Sequence, residues 1–300
     1  MGPTIELRHL RYFLATAEEL HFGRAAERLH IAQPGLSQQI KNLEEMVGTR
    51  LFDRTRRSVR LTLAGELFAE EARRTLSQAE AAVTVARRAG RGEIGRITIG
   101  YVGSAAYTGK LTTLVGEFRD AYPEVDLQIT EMEMQEQLMQ LEGGTLDIGF
   151  IRPPVPLPLG LSTVPLLFEE VLLAIPGNHP LADAPVVELE RFRHDTFITP
   201  RHPPDVSFHK HTTTACQVAG FFPRLGPQGR DFVTIASMVA VGLGVALVPQ
   251  SLGCIQMPGL VYRPIAGTPV RAELAVAFRR GEYSPVARAF AQHARRSASL

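Results

Sequence analysis

The first fifty residues carry apolar side chains at the spacing of α-helices. Over residues 6–20 these side chains recur at steps of three and four, which predicts an amphipathic helix. A second helix is predicted over residues 23–30 and a third over residues 33–47, separated by a short break. Gly48 ends the third helix, because glycine readily adopts the left-handed conformation of a helix end. A supporting helix followed by two helices with a tight turn between them predicts a helix-turn-helix.

The third predicted helix has a polar face opposite its apolar one. Its polar side chains are of the types that hydrogen-bond to base edges in the major groove of DNA. They are Gln33, Ser37, Gln38, Lys41 and Asn42. The same residues would also suit an ordinary solvated helix face, so this pattern alone leaves both interpretations open.

A cluster of arginines follows the third helix. Short apolar pairs stand on both sides of it, so residues 51–61 are predicted to form a small hairpin, or wing, with a basic tip. The cluster consists of Arg50, Arg54, Arg56, Arg57 and Arg60. Arginines at such a tip can neutralise phosphates or enter a narrow minor groove. Three helices followed by this wing predict a winged helix, which indicates DNA binding more specifically than either part alone.

Residues 63–89 contain no proline and one glycine, which predicts a helix on the order of 40 Å long. Thr62 precedes this helix as a candidate N-cap. Its alanine-rich stripe is too exposed for a lone helix, so we expect it to pair with a second copy of the chain. The stripe consists of Leu67, Ala72, Leu76, Ala79, Val83 and Ala86. Three glycines within residues 90–95 mark the boundary to the next domain.

The remaining two hundred residues alternate strand-like and helix-like stretches, which predicts an α/β fold. The predicted strands cover residues 96–102, 125–131, 147–151, 169–175, 195–199, 244–248, 260–264 and 272–278. The predicted helices cover residues 104–122, 133–142, 206–219, 233–241 and 284–296.

Composition limits the classes of protein that the chain could be. A length of 300 residues with 45% hydrophobic content predicts two or three folded units. Two cysteines exclude a disulfide framework, a four-cysteine zinc site and an iron–sulfur cluster, and they fit a reducing cytoplasm. The first twenty residues have no apolar stretch typical of a secretory signal, and the apolar segment 235–248 is too short to span a membrane. The net charge of +1 does not by itself indicate nucleic acid.

Motifs of catalysis and of cofactor binding are missing from the sequence. It contains no signature of α/β-hydrolases, P-loop nucleotide-binding proteins or zinc proteases. The glycines of residues 242–244 precede a predicted strand instead of following one, which argues against a dinucleotide site. His202, His209, His211 and Cys216 match no common ligand spacing, so no metal is expected. The chain is therefore predicted to be neither an enzyme nor a carrier of a metal or cofactor.

Several short runs in the first seventy residues match a known family. They are LRHLRYF at 7–13, AAERLH at 25–30, LFDR at 51–54 and LTLAG at 61–65. Through them, residues 6–70 resemble the DNA-binding domain of LysR-type transcriptional regulators. The resemblance implies one group of residues that faces the major groove and another that addresses the DNA backbone or minor groove. The first group is Gln33, Pro34, Ser37, Gln38 and Lys41, and the second is Arg54, Arg56 and Arg57.

The rest of the chain resembles the effector-binding half of the same family. The matching runs are GYVGS at 100–104, LDIGF at 146–150, NHPL at 178–181 and GLGVALVP at 242–249. They are most similar to the branch that controls the degradation of aromatic compounds and senses muconate-like or benzoate-like acids. The resemblance implies two Rossmann-like α/β subdomains that enclose a cleft, as in periplasmic binding proteins.

The resemblance also implies a division of the chain into domains. A winged helix-turn-helix DNA-binding domain would cover residues 1–62, and a linker and dimerisation helix would cover residues 63–92. An effector-binding domain would cover residues 93–300. Its subdomain I would comprise residues 93–166 and 269–300, and its subdomain II residues 167–268.

The implied effector is a small organic anion in the cleft. Ser104 begins a predicted helix whose N–H groups favour a carboxylate, but the serine could equally cap its own helix. Arg152 ends a strand near the cleft, where a structural ion pair is the alternative to ligand binding. Met134 stands where related muconate sensors have a small hydroxyl group, which makes that wall apolar and disfavours a simple dicarboxylate.

Family correspondence implies the residues of the opposite wall. They are Thr199, Arg201, His202 and Phe208. Arg201 would pair with a carboxylate of the ligand, and Phe208 would stack on an aromatic ring.

The predicted function is that of a cytoplasmic transcription factor that changes its DNA geometry when the organic anion binds. Its implied partners are double-stranded DNA with a palindromic operator, the organic acid and further copies of the chain in homodimers or homotetramers. RNA polymerase is a further candidate, and no membrane is expected. The competing class is a solute-binding protein or enzyme whose N-terminal helices serve only in assembly, against which the missing secretory signal and catalytic motifs weigh.

Overall fold

A computed structural model describes residues 4–55, 58–268 and 270–298. These residues fold into two compact units that divide between Arg87 and Arg88. The first unit is helical with a small hairpin, and the second combines helices with a large mixed sheet. The predicted fold class, a winged helix-turn-helix with a long helix followed by a two-lobed α/β domain, is confirmed.

The helix-turn-helix comprises α1 (Leu7–Glu19), α2 (Phe22–Arg28) and α3 (Gln33–Val47). Side chains and backbone at the helix ends account for these bounds. The His21 side chain accepts a backbone hydrogen bond at the start of α2, and α3 ends at Gly48 with a φ of 75°. The three helices therefore begin and end close to where local sequence signals predict.

A small apolar core holds these helices together. Ala25 and Ala26 of α2 are buried, and their small side chains allow close packing of the neighbouring helices. The Phe13 ring of α1 lies 5.2 Å from the Phe52 ring and 5.0 Å from the Phe68 ring, measured between centroids. From α3 the core receives the fully buried side chains of Leu36, Ile40 and Leu43.

The predicted wing is an antiparallel hairpin of β1 (Phe52–Arg54) and β2 (Val59–Leu61). Two of the arginines predicted for its tip, Arg56 and Arg57, lie outside the described residues. What the structure describes of the wing is therefore its two strands and their attachment to the helices.

The long helix α4 (Leu63–Gly90) follows the wing directly. Thr62 begins it, because its Oγ1 accepts a hydrogen bond from the Gly65 N–H across 2.9 Å. Gly65 has no room for a side chain, since a Cβ there would lie 2.1 Å from the carbonyl oxygen of Leu51. The first half of α4 packs on the core of the first unit through small residues such as Ala72.

The second unit is built from nine strands and six α-helices within the described residues. The first half of these contains β3 (Ile94–Tyr101), α5 (Gly103–Ala106), α6 (Lys110–Ala121), β4 (Glu124–Glu131), α7 (Met134–Gly143), β5 (Ile148–Ile151) and β6 (Leu161–Pro176). The second half contains β7 (Thr196–Pro200), α8 (Ser207–Val218), β8 (Arg224–Gly229), α9 (Phe232–Ala240), β9 (Ala246–Pro249), β10 (Leu260–Pro264), β11 (Arg271–Arg279) and α10 (Pro285–Ala298). None of the helices in the described part of the chain is both long and apolar enough to cross a bilayer.

The large sheet has the strand order β10-β6-β11-β5-β3-β4, and β9 also pairs with β6. β3 runs parallel to β4 and β5, whereas β11 runs antiparallel to β5 and β6. β6 is 16 residues long and joins two lobes, because its first part pairs with β11 and its last part with β9 and β10. β7 and β8 form a separate parallel pair, which a bridge between Phe197 and Val245 ties to the start of β9.

Each lobe has its own apolar core. Subdomain I, the lobe of β3, β4 and β5, packs around Phe118, Phe150 and Phe290. Subdomain II, the lobe of β7, β8 and β9, packs around Phe197 and Phe208. The two cores leave a cleft between the lobes, on which the candidate ligand site depends.

Two strands differ from the sequence-based prediction. β6 begins at Leu161, well before the predicted stretch 169–175, because prolines in this region obscured the strand pattern. β8 was not predicted at all. Its sequence, RLGPQG, contains glycine and proline, and five of its six residues are exposed, so the apolar alternation of a strand is missing.

Candidate functional site

The outward face of α3 presents the polar side chains that the sequence predicts for contact with DNA. Gln33, Pro34, Gln38 and Lys41 are exposed, and Ser37 is half-buried. The Gln38 amide donates a hydrogen bond to Asn42 across 2.8 Å, and Lys41 Nζ lies 3.7 Å from a Glu45 oxygen. Surface contacts of this kind contribute little free energy, so a DNA duplex could displace them at low cost.

A carboxylate on α3 holds the wing in place. Glu44 Oε1 accepts hydrogen bonds from the N–H groups of Leu51 (2.9 Å) and Phe52 (3.0 Å). Its Oε2 accepts a hydrogen bond from Arg54 Nη2 across 2.7 Å, and the Arg54 guanidinium carbon lies 4.8 Å from the centre of the Phe22 ring. Arg54 is therefore held by the domain itself. Sequence reasoning missed Glu44, because a carboxylate inside a helix gives no local sign that it will cap a later hairpin.

The second unit has a cavity between the two subdomains, whose empty space is about 630 Å³ when the open solvent at its mouth is included. Subdomain I contributes Val102, Ser104, Met132, Met134 and Arg152 to its walls, together with the acidic residues Glu131 and Glu133. Subdomain II contributes Pro200, His202, Ser207 and Phe232, together with the charged residues Arg230 and Asp231. The cavity thus combines apolar walls with a few polar groups, as is typical of small-molecule sites.

A buried ion pair lies beside the cavity. Arg152 Nη2 donates a hydrogen bond to Glu169 Oε1 across 2.8 Å, and Arg152 Nε donates one to Ser104 Oγ across 2.8 Å. Glu169 Oε2 accepts a hydrogen bond from the Ser251 N–H across 2.6 Å, which ties this group to subdomain II. Of the two interpretations of Arg152, the structural ion pair is therefore present, and the residue also lines the cavity.

One nitrogen of this guanidinium has no partner. Arg152 Nη1 makes no hydrogen bond to any described residue, although it is buried. Burial lowers the pKa of Arg152, and the neighbouring Glu169 carboxylate opposes that shift. A buried donor without an acceptor is costly, so an acceptor on a ligand in the cavity would be stabilised here.

The predicted helix after Ser104 takes a different form in the structure. α5 has only four residues, and Ser104 Oγ caps no helix but accepts the hydrogen bond from Arg152. Its hydroxyl hydrogen remains available to a ligand. The start of α5 faces Glu131, whose Oε1 lies 2.7 Å from where a Cβ on Gly103 would stand. A ligand carboxylate at this helix end would meet another carboxylate, so the side chains of Arg152 and Ser104 are the better anion donors.

The structure brings only part of the predicted opposite wall to the cavity. His202 lines it, but Thr199, Arg201 and Phe208 do not. Thr199 is buried in β7, Arg201 is exposed, and Phe208 lies with no exposed surface in the core of subdomain II. Phe232 provides the aromatic ring of the cavity instead, 4.8 Å from the Phe208 ring between centroids. Phe208 points inward because its helix buries that face against β7 and β9.

Two histidines near the cavity, His202 and His211, have lowered pKa values. Burial lowers the pKa of His202, and the neighbouring His209 lowers it further. Burial also lowers the pKa of His211, to about 4. His209 Nδ1 lies 3.1 Å from the His202 carbonyl oxygen. Across residues 4–55, 58–268 and 270–298, no three or more His, Cys, Asp or Glu side chains form a group that could hold a metal ion.

Ser207 is a lining residue that sequence reasoning missed. As the first residue of α8 it has a φ of 45°, in the left-handed region that residues other than glycine rarely adopt. Its N–H donates a hydrogen bond to the Pro154 carbonyl across 2.7 Å, and the neighbouring Val206 packs in a cluster with Met134. Backbone conformations of this kind concentrate at ligand sites. In the sequence, a serine at a helix start indicates nothing beyond a cap.

Two protein-family models match the chain. A model described as "Bacterial regulatory helix-turn-helix protein, lysR family" matches residues 7–66. A second model, described as "LysR substrate binding domain", matches residues 90–299. One model thus matches within each of the two compact units.

Similar curated proteins match over nearly the full length. HTH-type transcriptional regulator AlsR of Bacillus subtilis (strain 168) is 37% identical over 286 residues, covering 95% of this chain and 94% of that protein. The uncharacterized HTH-type transcriptional regulator YnfL of Escherichia coli (strain K12) is 39% identical over 298 residues, covering 96% and 97%. Among solved structures, full-length CbnR complexed with its target DNA matches with a TM-score of 0.76 and 30% identity, covering 98% of this chain and 100% of that one.

Proposed function

The chain belongs to the LysR family of DNA-binding transcriptional regulators, and on that premise we propose that a small organic acid, bound between its two effector subdomains, modulates its binding to operator DNA. It is a regulator and not an enzyme, since its relatives are named as HTH-type transcriptional regulators. The proposal adds to the family assignment the chemical class of the effector and the residues that bind it.

The observation that carries the proposal is the unpartnered nitrogen of Arg152. This guanidinium lines the cavity with its side chain 3% exposed, and Nη1 has no acceptor among the described residues. The Ser104 hydroxyl, which accepts from Arg152 Nε, has its hydrogen available on the same wall. A buried guanidinium donor without a partner suits a carboxylate, because hydrogen bonds to a charged group are about twice as strong as neutral ones.

The walls of the cavity support an apolar body for this acid. Val102, Met132, Met134 and Phe232 surround the space beside the Arg152 wall. An aromatic or other unsaturated body would bury its surface against these side chains, and Phe232 offers a ring for an offset or edge-on contact. We therefore propose that the effector is an aromatic or muconate-like carboxylate. An aromatic monocarboxylate is favoured, because Met134 offers no hydroxyl group to a second carboxylate.

On DNA, we propose that α3 enters the major groove. Gln33, Pro34, Ser37, Gln38 and Lys41 would contact base edges there, whereas Arg56 and Arg57 would address the backbone or the minor groove. Arg54 would bind a phosphate only in addition to its contact with Glu44. Exposed side chains along one face of α3 support this arrangement.

For assembly, we propose a homodimer formed through the exposed stripe of α4, and a homotetramer of such dimers. Val83 supports the dimer, since half of its surface is exposed on a helix that continues beyond the core of the first unit. Two-fold pairing would require a palindromic operator. We propose in addition that the protein acts in the cytoplasm, where its DNA is. RNA polymerase is proposed as a further partner.

The test titrates the full chain with benzoate, cis,cis-muconate and aliphatic acids in a calorimeter. Operator affinity is then measured with and without each acid, on a duplex enriched from a random pool. We expect one acid to bind and to change the affinity for the enriched duplex. Failure of every acid to bind, or binding that leaves the duplex affinity unchanged, would contradict the proposal.

Matched variants locate the acid. Ser104→Ala should weaken its binding by about tenfold, the cost of a hydrogen bond to a charged group. Ser162→Ala is the control, because Ser162 Oγ accepts from Arg280 Nε across 2.9 Å outside the cavity, just as Ser104 accepts from Arg152. The double variant Arg152→Met with Glu169→Met removes both charges at similar volume, so it should fold and lose the acid.

A further inference from the structure

The mouth of the cavity carries more negative than positive charge. Glu131 and Glu133 stand on the side of subdomain I, and Asp231 stands on the side of subdomain II. Arg230 is the one cation at the mouth among the described lining residues, and its Nε lies 3.9 Å from Glu133 Oε1. Both partners of that pair are largely exposed, so it contributes little energy and binds neither side chain firmly.

The positive charge deeper in the cavity does not compensate for this excess. Arg152 is already paired with the buried carboxylate of Glu169. His202 also lines the cavity, but burial lowers its pKa, so it stays neutral at neutral pH. Among the described lining residues the acids thus outnumber the cations, and a ligand with two carboxylates would place one of them against this mouth.

Two of these carboxylates line the cavity from opposite lobes, and both lie near Tyr107. The charges of Glu131 and Asp231 both raise the pKa of Tyr107, after burial as the largest cause. Asp231 is fixed, since its carboxylate accepts a hydrogen bond from the Thr234 N–H across 2.7 Å at the start of α9. Glu131 forms no ion pair with any described residue, and it lies against Gly103 at the cavity wall.

We infer that the ligand is a zwitterion, an amino acid or a close relative, whose carboxylate meets Arg152 and Ser104 and whose ammonium group meets Glu131 and Asp231. This inference rests on the proposed function, because it assigns a second functional group to the same acid. Two observations carry it together: the buried, unpartnered donor on one wall and the acidic mouth, where Arg230 is the one described cation against three carboxylates. Opposite charges on the ligand would then match opposite charges in the cavity.

The experiment compares four compounds that share one benzyl group. 3-Phenylpropanoate has only the carboxylate, 2-phenylethylamine only the ammonium group, phenylalanine has both, and benzylmalonate replaces the ammonium group of phenylalanine by a second carboxylate. A parallel set of four compounds carries an isobutyl group in place of the benzyl group, in case the cavity admits only a smaller side chain. Affinities of the full chain are measured by calorimetry at neutral pH. We expect the amino acid to bind about tenfold more tightly than its carboxylate-only analogue, and the dicarboxylate to bind least.

The outcomes separate this inference from the proposed function. Equal or tighter binding of the carboxylate-only compound would overturn the zwitterion and leave the organic acid standing. If 2-phenylethylamine bound as tightly as phenylalanine, the carboxylate would contribute nothing to binding, and both proposals would be overturned. If neither set binds at all, both proposals are contradicted for ligands of this size.

A charge variant tests the assigned contact directly. Glu131→Gln should reduce the advantage of phenylalanine over 3-phenylpropanoate, while the affinity for 3-phenylpropanoate stays the same or rises. Glu136→Gln is the matched control, because Glu136 is an exposed acid in the first turn of α7 that does not line the cavity. An unchanged advantage in Glu131→Gln would remove Glu131 from the site.

Discussion

Arg54 in the wing donates a hydrogen bond to Glu44 in α3 across 2.7 Å, so the two parts of the DNA-binding unit are joined by a charged contact. The same carboxylate accepts the N–H groups of Leu51 and Phe52, which leaves little of it exposed. A single side chain of α3 therefore contacts both the backbone at the start of the hairpin and Arg54.

Replacing this carboxylate should loosen the wing. Glu44→Ala leaves two backbone donors and the Arg54 guanidinium without their acceptor, so we expect a loss of about 2–3 kcal/mol of unfolding free energy for the first unit. Urea unfolding and faster hydrogen exchange over residues 50–62 would measure it. Glu45→Ala is the control, since Glu45 makes only a surface contact with Lys41, and it should cost under about 1 kcal/mol. Equal losses in both variants would refute the role of Glu44.

Side chains on α3 should determine sequence preference. We expect Ser37→Ala and Gln33→Ala to reduce the ratio of affinities for the enriched duplex and a scrambled duplex by about tenfold, because each would remove one of the proposed base contacts. Fluorescence anisotropy at fixed salt measures this ratio. Gln135→Ala, a change at an exposed glutamine in the second unit, should leave it unchanged. If the ratio survives both α3 variants, the polar face of α3 does not read bases.

The stripe on α4 should divide into two parts with different roles. Ala72 is buried against the core of the first unit, and Leu76 packs on the same core, whereas Val83 is 50% exposed. Leu67 is 60% exposed and, at 3.6 residues per turn, lies on nearly the opposite side of the helix from Val83. Val83 therefore represents the face that remains for a partner.

A pair of valines tests this face. Val83→Glu would bury an unpaired charge in the proposed dimer, so we expect the dimer dissociation constant to rise by about tenfold or more in sedimentation experiments. Val85→Glu is the matched control, because Val85 is 54% exposed but points about 200° away around the helix. A larger effect of Val85→Glu would move the interface to the other face.

His211 should make the second unit sensitive to acid. Its pKa is about 4 in the folded chain because burial disfavours the charged ring, and it returns to about 6.5 on unfolding. The unfolded state therefore binds an extra proton between these values. The contribution of the neutral His211 ring to the free energy of unfolding is fully present above pH 6.5. It falls, by on the order of 3 kcal/mol, as the pH drops towards 4.

Substitution should remove this part of the pH dependence. Urea unfolding of His211→Gln between pH 7 and pH 4 should show a smaller decline than the natural chain shows. The half-buried His202 contributes in the same direction and remains in both proteins, so the decline should not vanish. His194→Gln changes an exposed histidine and should follow the natural chain. Identical curves for the natural chain and His211→Gln would contradict the assignment.

The sequence by itself determined those features that depend on neighbouring residues. The bounds of α3, the start of α4 at Thr62 and the ending at Gly48 follow from helical periodicity and from capping, which act within one turn. The polar face of α3 follows in the same way, because the period of a helix decides which side chains share a side. Two of the runs that indicated the LysR family begin within single helices in the same way, residues 7–13 in α1 and residues 25–30 in α2.

Only the tertiary structure decided the contacts between distant residues. Arg152 and Ser104 are 48 positions apart, and Glu169 lies on another strand, so no local pattern could predict their contact. Phe208 and Phe232 are both aromatic residues near helix starts, but only Phe232 reaches the cavity. The physical reason is that packing chooses which face of each helix is buried, and this choice depends on the lobe that covers it.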